Sequence, residues 1–321
     1  MGLRNSVNVY PLNADGDLRP SATIKGAATG LDWAKSIAVD SSGKIYVLNG
    51  EGGAEYTGTV EVFAPGSTGN VAPIARIAGA NTGLRSVNDI AVDSAGNIYV
   101  AIEGVGVGNI PPGILVYPPG SNGNVRPSVT IGGSQTRIQN PYGVAVDSKG
   151  NLYVAESATR DMGRVLVFPP GSKGNVKPSF VIEGPDTAQF DPIAIALDSD
   201  RNLYVANRGR TNGIAIFKLD RDGRPASEAG LDGPTPSARI SGPRAGLMDY
   251  NYSIPGIAVD SGKNIFVTFQ GGRYNETNKV VIFAAGSNGD VAPRAVISGY
   301  HTKLSGPDGI AIGPYSGASL K

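Results

Sequence analysis

Cysteine is absent from this chain of 321 residues, and histidine occurs once, at His301. Disulfide bonds, a thiol nucleophile and a zinc–thiolate centre are therefore excluded. A Ser-His-Asp triad or a histidine-ligated metal would depend on His301 alone. His301 lies in a loop, where we expect a surface position, so chemistry that needs a histidine is disfavoured.

An excess of charge of either sign is also lacking, since 28 Lys and Arg stand against 27 Asp and Glu, for a net charge of +1. Such a chain has no overall field to attract nucleic acid or an anionic membrane, so we expect neither partner. No apolar run reaches the roughly 20 residues of a membrane span. No export signal is visible. The absence of cysteine fits the cytosol, and equally an exported bacterial protein whose large core needs no disulfides. Of the two, we expect an extracellular or periplasmic location.

A repeated phrase, Ile-Ala-Val-Asp-Ser-x-Gly-Asn-x-Tyr-Val, dominates what is present. It recurs at intervals of roughly fifty residues, which is typical of solenoids and propellers. Its copies begin at Ile37, Ile90, Val144, Ile195 and Ile257, with a degraded copy at Ile310.

Each period contains four short apolar runs rich in Val, Ile, Tyr and Phe, separated by turns with Gly, Asn, Asp and Pro, as in a blade of four antiparallel strands. The first strand is expected to be buried on both faces. The third, as in Val60-Glu61-Val62-Phe63, alternates and is expected nearer the solvent.

The count of repeats predicts an all-β, six-bladed β-propeller that forms a single domain over residues 1–321. Five continuous blades are expected over about 34–299. The closing blade is expected from residues 5–26 together with 306–321, including a strand at Gly309–Ile312 and perhaps another at Ala318–Lys321. Sharing this blade between the termini would remove the open edges of a linear array.

Two stretches carry a resemblance to a known family: Pro141–Ala155 and Ile254–Thr268 resemble the NHL repeat. The companion phrase at Val167–Pro178 is similar to that of bacterial NHL-like proteins, which are often exported. The resemblance implies a six-bladed propeller close in shape to the gluconolactonase-like propellers. The family's Asp-x-x-Asn-His-Arg segment is not found after the second strands, which puts any family ligand site carried there in doubt.

Two kinds of connection alternate between the faces of a propeller. The first-to-second and third-to-fourth turns are short and repeated, and their aspartates are expected to cap the turns: Asp40, Asp93, Asp147, Asp198 and Asp260. The second-to-third loops differ in every blade and define what we call the variable face: 49–58, 102–112, 156–163, 207–212 and 269–278. Because loops on a rigid scaffold carry function, we predict a ligand site there, with neutral drift as the alternative.

The mouth is the place on the variable face where first strands begin and second strands end. We predict that it binds a ligand through Trp33, Asn49, Asn88, Asp89, Asn140, Tyr142, Glu156, Asp191, Asn207, Arg208, Phe269, Arg273 and Asp308. No catalytic residue is assigned.

Charges on the variable face are sorted by blade. Acidic residues lie on the first two continuous blades at Glu51, Glu55 and Glu103, and arginines lie on the next three at Arg160, Arg208, Arg210 and Arg273. Converging guanidinium groups bind carboxylate, sulfate or phosphate. The alternative is an ordinary solvated surface.

Calcium is the cofactor considered, because gluconolactonase-like propellers use an axial metal site and Ca²⁺ takes six to eight oxygen ligands. The candidate ligands by residue type are Glu156, Asn88, Asn140, Asn207 and Asp308. The alternative is that these side chains cap the ends of strands.

Three functions remain open from the sequence. The first is a non-enzymatic module, expected as a monomer, that binds a small molecule, a glycan or a protein, an anionic partner among them. The second is a calcium-dependent hydrolase or lactonase acting at the mouth. The third is a structural spacer without a ligand.

Overall fold

The computed structural model describes residues 5–50, 57–104, 111–157, 163–184, 191–208, 213–225, 233–247, 254–270 and 278–314. Regular structure in these ranges consists of short strands and three-residue 3₁₀ helices. The strands are β1 (Val7–Val9), β2 (Ala22–Ile24), β3 (Ala34–Val39), β4 (Ile45–Asn49), β5 (Thr59–Phe63), β6 (Ala75–Ile77), β7 (Val87–Val92), β8 (Ile98–Ile102), β9 (Gly113–Tyr117), β10 (Val129–Gly132), β11 (Pro141–Val146), β12 (Leu152–Glu156), β13 (Arg164–Phe168), β14 (Phe180–Ile182), β15 (Pro192–Leu197), β16 (Asn202–Asn207), β17 (Gly213–Lys218), β18 (Ala238–Ile240), β19 (Ile257–Val259), β20 (Ile265–Phe269), β21 (Lys279–Phe283) and β22 (Ala295–Ser298). The 3₁₀ helices are Ala27–Thr29, Ser134–Thr136 and Tyr300–Thr302.

Four-stranded antiparallel sheets form the blades, and in each the strands are ordered as in the chain. Blade 1 is β3–β6, blade 2 is β7–β10, blade 3 is β11–β14, blade 4 is β15–β18 and blade 5 is β19–β22. The first strand of each blade contacts the first strand of the next. The predicted all-β propeller with four strands per blade is therefore confirmed. No helix in the described part of the chain is long and apolar enough to cross a membrane.

The predicted blade count is wrong, because the structure contains five blades and not six. Among the described residues, β1 and β2 form a two-stranded sheet, which has one isolated bridge, from Ile24 to Gly69 of blade 1, and the strand expected at residues 309–312 does not form. The Pro-x-Gly residues at the start of this stretch, Pro307 and Gly309, also open β11, at Pro141 and Gly143, so they do not prevent a strand. What the described residues lack is a second strand beside residues 309–312. We call β1, β2 and residues 306–314 together the closing segment. The strand considered at 318–321 lies outside the described residues.

The closing segment nevertheless fills the space between blade 5 and blade 1. A Cβ at Gly309 would lie 2.7 Å from Ser36 Cα of blade 1, and the Asp308 carbonyl accepts a hydrogen bond of 2.8 Å from Thr268 Oγ1 of blade 5. Ile310 and Ile312 pack against the buried Phe266 of blade 5.

The hydrophobic core lies between neighbouring blades. Between blades 1 and 2, for example, Leu48 packs with Val100 and Leu115. Second and third strands are the most buried, and the prediction that third strands lie nearer the solvent is wrong: Glu61 of β5 is 0% exposed, with Arg76 Nε 2.9 Å from its Oε1. The outer strands β6, β14 and β18 take the partly exposed position instead.

One β-bulge recurs in the first strands. In blades 1 to 4 the pairing of the first strand with the second skips one residue near its start. The skipped residues are Lys35, Asn88, Tyr142 and Ile193. A bulge leaves its extra residue out of the ladder and redirects its side chain.

Five joints around the ring share the same kind of hydrogen bond. The acceptor is a side-chain oxygen in the third-to-fourth turn of one blade, or in the turn of the β1–β2 hairpin. The donor is a backbone N–H in the segment that follows the last strand of the preceding blade or hairpin. The pairs, with the acceptor first, are Asn70 and Ala28, Asn124 and Asn81, Asn175 and Gln135, Asp290 and Arg244, and Asp17 and His301, at 2.7–2.8 Å.

The repeated aspartates cap turns, as predicted. Asp147 Oδ1, for example, accepts the backbone N–H groups of Lys149 and Asn151, and Tyr153 Oη donates to its Oδ2 at 3.4 Å. Asp40, Asp93 and Asp198 accept the two equivalent backbone N–H groups, and Asp260 accepts that of Asn264. These five residues have a structural role at the face opposite the variable face.

Candidate functional site

Polar side chains at two of the bulge positions make contacts between neighbouring blades, whereas Ile193 is buried in the core. Lys35 Nζ donates to Asn88 Oδ1 at 2.6 Å, across the joint between blades 1 and 2. Asn88 Nδ2 donates to Glu103 Oε1 at 2.9 Å and to the Pro141 carbonyl at 2.8 Å. Both polar atoms of the buried Asn88 are thus engaged, and a chain of polar contacts links three blades.

Asp89, next to the bulge, binds the first strands of its neighbours. Its Oδ1 accepts from Ser36 Oγ at 2.5 Å in blade 1, and its Oδ2 accepts from the Val144 backbone N–H at 2.8 Å in blade 3. Burial raises the pKa of Asp89 to about 6, although these contacts and the nearby Lys35 act in the opposite direction. Asp89 therefore ties blades together and is not presented to a ligand.

An arginine is held at the other side of the mouth. Arg208 Nε lies 3.1 Å from Asp191 Oδ2, and Arg208 Nη2 donates to Ser157 Oγ at 3.1 Å. Ser157 Oγ in turn donates to Asp191 Oδ1 at 2.7 Å. The guanidinium carbon lies 5.4 Å from the centroid of the Tyr142 ring, which is within cation–π range.

The contacts in this cluster keep Arg208 positively charged. Burial lowers the pKa of Arg208, but the contacts with Asp191 and Tyr142 outweigh it and raise the pKa above its usual value. The side chain is still 40% exposed. The mouth therefore carries a permanent cation that is both positioned and accessible.

Trp33 stands at a position that is repeated around the mouth. The carbonyls of Trp33, Ser86, Asn140 and Asp191 accept the backbone N–H groups of Gly50, Glu103, Ser157 and Arg208, respectively. Trp33 has a φ of 52° and is 50% exposed, and its indole lies against Gly50. The structure thus places Trp33 just before the first strand of blade 1, and its role in binding stays a prediction.

Predicted residues at the ends of second strands are buried. Glu156 Oε2 accepts the backbone N–H groups of Gln139 and Asn140, and Asn49 Oδ1 accepts that of Asp32. Burial raises the pKa of Glu156. Asn207 is buried and donates to its own strand at Val205. The contacts of Glu156 and Asn49 cap the segments before the first strands, the alternative that the sequence left open, whereas the contact of Asn207 stays within its own strand.

Phe269 does not line the mouth, although it was predicted to bind. It is 1% exposed and belongs to the core between blades 4 and 5, where Lys279 Nζ covers its ring at 4.9 Å. Its position ends β20, and an apolar side chain there packs inward. The prediction is corrected accordingly.

Several predicted residues cannot be placed in the cluster around Arg208. Arg160, Arg210, Arg273, Glu51 and Glu55 lie outside the described residues. His301 is exposed far from the mouth, with Nδ1 2.8 Å from Asp17 Oδ2 at the joint between blade 5 and the closing segment.

The contacts of the five candidate ligands do not test the calcium prediction, because some of their oxygens are engaged, whereas Glu156 Oε1 and Asn207 Oδ1 are buried without a hydrogen-bond partner among the described residues. Asn88 Oδ1 faces the Lys35 ammonium, and Glu156 Oε2 is occupied by two backbone N–H groups. Within the described ranges no three His, Asp or Glu side chains come together as metal ligands would. Calcium therefore enters no step of the function argued below.

Ser157 is a site residue that sequence reasoning missed. Its hydroxyl joins Asp191 and Arg208, and aligning the residue after each second strand would have placed Ser157, Glu103 and Arg208 at equivalent positions. The bulge was missed as well.

A cleft of about 230 Å³ between blade 2 and the connection to blade 3 lies apart from the mouth, and its Arg137 is paired with Glu183.

Comparison with known proteins supports the fold. The family model described as Beta-propeller repeat matches residues 131–155. No curated protein sequence gives a significant match.

Three solved structures that are similar to this chain are distant from it in sequence. A protein of unknown function from Bacteroides caccae has a TM-score of 0.59 at 13% identity, covering 97% of this chain and 99% of that one. The PQQ-bound aldose sugar dehydrogenase from Streptomyces coelicolor has a TM-score of 0.55 at 16% identity, covering 89% and 86%. A chain of the mitotic checkpoint complex has a TM-score of 0.54 at 13% identity, covering 95% and 89%. At these identities the likeness concerns the fold alone, and the NHL resemblance stays a prediction.

Proposed function

We propose that the protein is a non-enzymatic binding module that receives the acidic group of a ligand at the mouth of its variable face. The observation that carries the proposal is the position of Arg208. It is anchored to Asp191 and Ser157, stacked on Tyr142, and exposed over two fifths of its side chain.

Anchoring makes the guanidinium a better receptor than a mobile surface arginine. A free arginine side chain loses rotamer entropy on binding, at about 0.5–1.5 kcal/mol for each immobilised side chain. Here Asp191 and Ser157 hold the side chain before the ligand arrives. Asp191 also balances part of the charge, so the site favours a ligand whose acidic group accepts hydrogen bonds in a fixed direction.

A hydrolase has less support from the geometry. The carboxylates nearest the mouth are engaged: Asp89 by Ser36 and Val144, and Glu156 by two backbone N–H groups. Neither is arranged with a nucleophile and a second acid or base in the described residues. Binding without turnover is therefore the function that the contacts favour.

The test is isothermal titration of the protein with citrate, glucuronate, inorganic phosphate and sulfate, and with glucose as a neutral probe. We expect saturable binding of at least one anion and none of glucose. Loss of one charge-assisted hydrogen bond is worth about 1.5–3 kcal/mol, so Arg208→Gln should weaken binding about ten- to a hundredfold.

The matched control is Arg126→Gln, because Arg126 is an exposed arginine in a third-to-fourth turn, on the opposite face. It changes the net charge equally and should leave the affinity unchanged. If no anion binds, or if Arg126→Gln reduces the affinity as much as Arg208→Gln does, the proposal is wrong.

A further inference from the structure

We propose that the closing segment binds an extended apolar strand of a partner polypeptide, which inserts between residues 309–312 and β1. A segment that adds a strand to a sheet gains affinity from backbone hydrogen bonds and specificity from alternate side chains. This second site lies within the ring of blades, and it is independent of the acidic-group site at Arg208.

Residues 309–312 lie where the first strand of a blade would lie. A Cβ at Gly309 would come 2.7 Å from Ser36 Cα, in the first strand of blade 1. At the equivalent place in blade 3, a Cβ at Gly143 would come 3.2 Å from Ala194 Cα, in the first strand of blade 4. The closing segment thus contacts blade 1 as one first strand contacts the next.

β1 and β2 lie where the third and fourth strands of a blade would lie. The hydroxyl of Tyr10, just after β1, donates to the Thr302 carbonyl, as the hydroxyl of Tyr117 at the end of β9 donates to the Thr82 carbonyl. β2 also bridges to blade 1 in the same way as β6 bridges to blade 2. The closing segment therefore takes three of the four strand positions of a blade, and no described residue takes the second.

Backbone groups on both sides of the second position lack partners among the described residues. Thr23 of β2 directs its carbonyl away from β1, where it accepts the Gly69 N–H at 2.7 Å. Residues paired across an antiparallel ladder direct their backbone groups either toward each other or apart, so Asn8, the partner of Thr23, directs its N–H and carbonyl toward the second position. Within the described ranges these groups are not hydrogen-bonded, and neither are the backbone groups of residues 309–312. Such edges are templates for another strand.

Val9 of β1 presents apolar surface that a second strand would cover. It is 38% exposed, whereas the equivalent residues in the third strands of the five blades are at most 8% exposed: Val62, Val116, Val167, Ile216 and Ile282. Each of those five is paired with the aromatic residue of the second strand in its own blade. Among the described residues Val9 has no such partner.

The second strands of the five blades indicate which strand would fit. Four consecutive positions in them hold Ile or Leu, then Tyr or Phe, then Val, and then Leu, Ala or Thr, as in Ile45–Leu48 and Leu203–Ala206. An inserted strand in the same register would place its aromatic side chain beside Val9 and its valine beside Asn8. The partner segment is therefore aliphatic, aromatic, valine and small in that order, and free of proline.

The C-terminal residues of the chain itself match this pattern poorly. Eight residues separate equivalent positions of first and second strands, as from Ile37 to Ile45, so the sequence in register is 318–321, which lies outside the described residues. It would bring a serine to the aromatic position and Lys321 to the position of Leu48, which is 0% exposed. Burial of an unpaired ammonium is costly.

A second copy of the chain is a poor source of the strand as well. In each of the five blades the second strand is paired on both sides within a four-stranded sheet. Its release would break two ladders in order to form two others. A separate polypeptide with an unpaired apolar segment has no such cost.

The probe is a fluorescently labelled peptide with the sequence of residues 96–103, which contains β8. The control peptide carries Val100→Pro, which removes an N–H and disrupts pairing in a central strand. The full chain should bind the probe saturably by fluorescence anisotropy and should melt at a higher temperature in its presence. The control peptide should bind at least about tenfold more weakly. Absence of binding, or equal binding of the two peptides, would show that the proposal is wrong.

Two protein variants test where the peptide binds. Val9→Lys places an ammonium beside the aromatic side chain of the inserted strand and should weaken binding at least about tenfold. Ile74→Lys is the matched control, because Ile74 is 56% exposed, lies before the outer strand of blade 1 and undergoes the same change of charge. Both variants should melt close to the parent temperature, because both side chains are exposed. Equal affinities of the two variants for the peptide would contradict the proposed position.

Amide hydrogen exchange, measured by NMR, tests which segment takes the second position. In the free protein the Asn8 amide should exchange at least about tenfold faster than that of Glu61, its equivalent in blade 1, and the peptide should slow it by a similar factor. Equal protection of Asn8 and Glu61 without peptide would show that residues of the chain itself take the position. Protection that rises with protein concentration would assign it to a second copy. Either result overturns the proposal, as does peptide binding that leaves the Asn8 amide unchanged.

Discussion

At the scale of the residue, Asp89 is a carboxylate beside the predicted binding site whose role is to hold neighbouring blades together. It stands beside the mouth, but both of its oxygens are engaged by neighbouring blades. Its desolvation opposes folding in the ionised form, and its hydrogen bonds favour folding. The balance of these effects makes the stability of the protein depend on pH.

Asp89→Asn should remove a pH-dependent loss of stability. The folded pKa of about 6 lies above the unfolded value of about 3.9, so the folded protein binds more protons between these values. The contribution of Asp89 is therefore greatest below pH 4 and falls as the pH rises through 6, by at most about 3 kcal/mol. An asparagine keeps both hydrogen bonds, because its oxygen can accept from Val144 and its amide can donate to Ser36.

Urea unfolding of both proteins from pH 4 to pH 7.5 measures this effect. The stability of Asp89→Asn relative to the parent should increase across that range. A constant difference between the two proteins would show that the pKa of Asp89 is not raised.

Asp147→Ala should lower the free energy of unfolding by about 1–3 kcal/mol, because two backbone N–H groups and the Tyr153 hydroxyl lose their acceptor. Asp222→Ala, at an exposed turn position, should change it by less than about 0.5 kcal/mol. Chemical denaturation compares them. Anion binding should be unaffected in Asp147→Ala, and a stable variant that no longer binds would place the site on the wrong face.

At the scale of the element, the joints between blades depend on a glycine as much as on the acceptor side chain. Asn175 Oδ1 accepts the Gln135 backbone N–H at 2.7 Å. This approach requires Gly133, where φ is 117° and a Cβ would lie 2.7 Å from Asn175 Cγ. Equivalent glycines precede the other joints, at Gly26, Gly79, Gly242 and Gly299.

Gly133→Ala should therefore destabilise the protein by more than backbone strain alone. Gly120→Ala is the control, because Gly120 has a φ of 76° but nothing within 4 Å of its added Cβ. We expect about 1 kcal/mol for Gly120→Ala and at least about twice that for Gly133→Ala. Equal melting temperatures for the two variants would argue against the steric role of the joint.

At the scale of the whole molecule, the N-terminal hairpin completes the ring. Ile24 of β2 and Val7 of β1 pack with Phe63 of blade 1, while Gly16 bridges to Ile297 of blade 5. The hairpin thus covers apolar surface of one blade and pairs with the outer strand of another. Without it, both surfaces would be open to solvent.

Deleting residues 1–26 should abolish cooperative thermal unfolding, measured by circular dichroism, because a core cluster and a joint are lost together. Asp17→Asn should be neutral by comparison, since asparagine is the acceptor at three other joints. A truncated protein that melts at the temperature of the parent would show that closure contributes little.

Local patterns were predictable from the sequence, and long-range ones were not. The aspartate turns and strand types follow from residues within one repeat, such as Asp147 and Tyr153. Blade number depended on residues 306–314, which resemble a first strand in sequence but have no second strand beside them among the described residues. Burial of Glu61 depends on Arg76 and on the segment around Gly30, which precedes the first strand of blade 1. Arg208 was predicted at the mouth, but its hydrogen bond to Ser157 depends on how blades 3 and 4 are aligned, which the sequence of one repeat does not show.

The bulge in the first strands has a consequence for how new specificities can arise. Lys35, Asn88, Tyr142 and Ile193 stand outside the ladder, so a substitution there leaves the hydrogen bonding of the sheet intact. Four very different side chains already occupy these equivalent positions. A library varied at the half-buried Lys35 and Tyr142, with the buried Asn88 and Ile193 kept, would sample many binding chemistries at little cost in folding, which makes the ring a scaffold for engineered receptors.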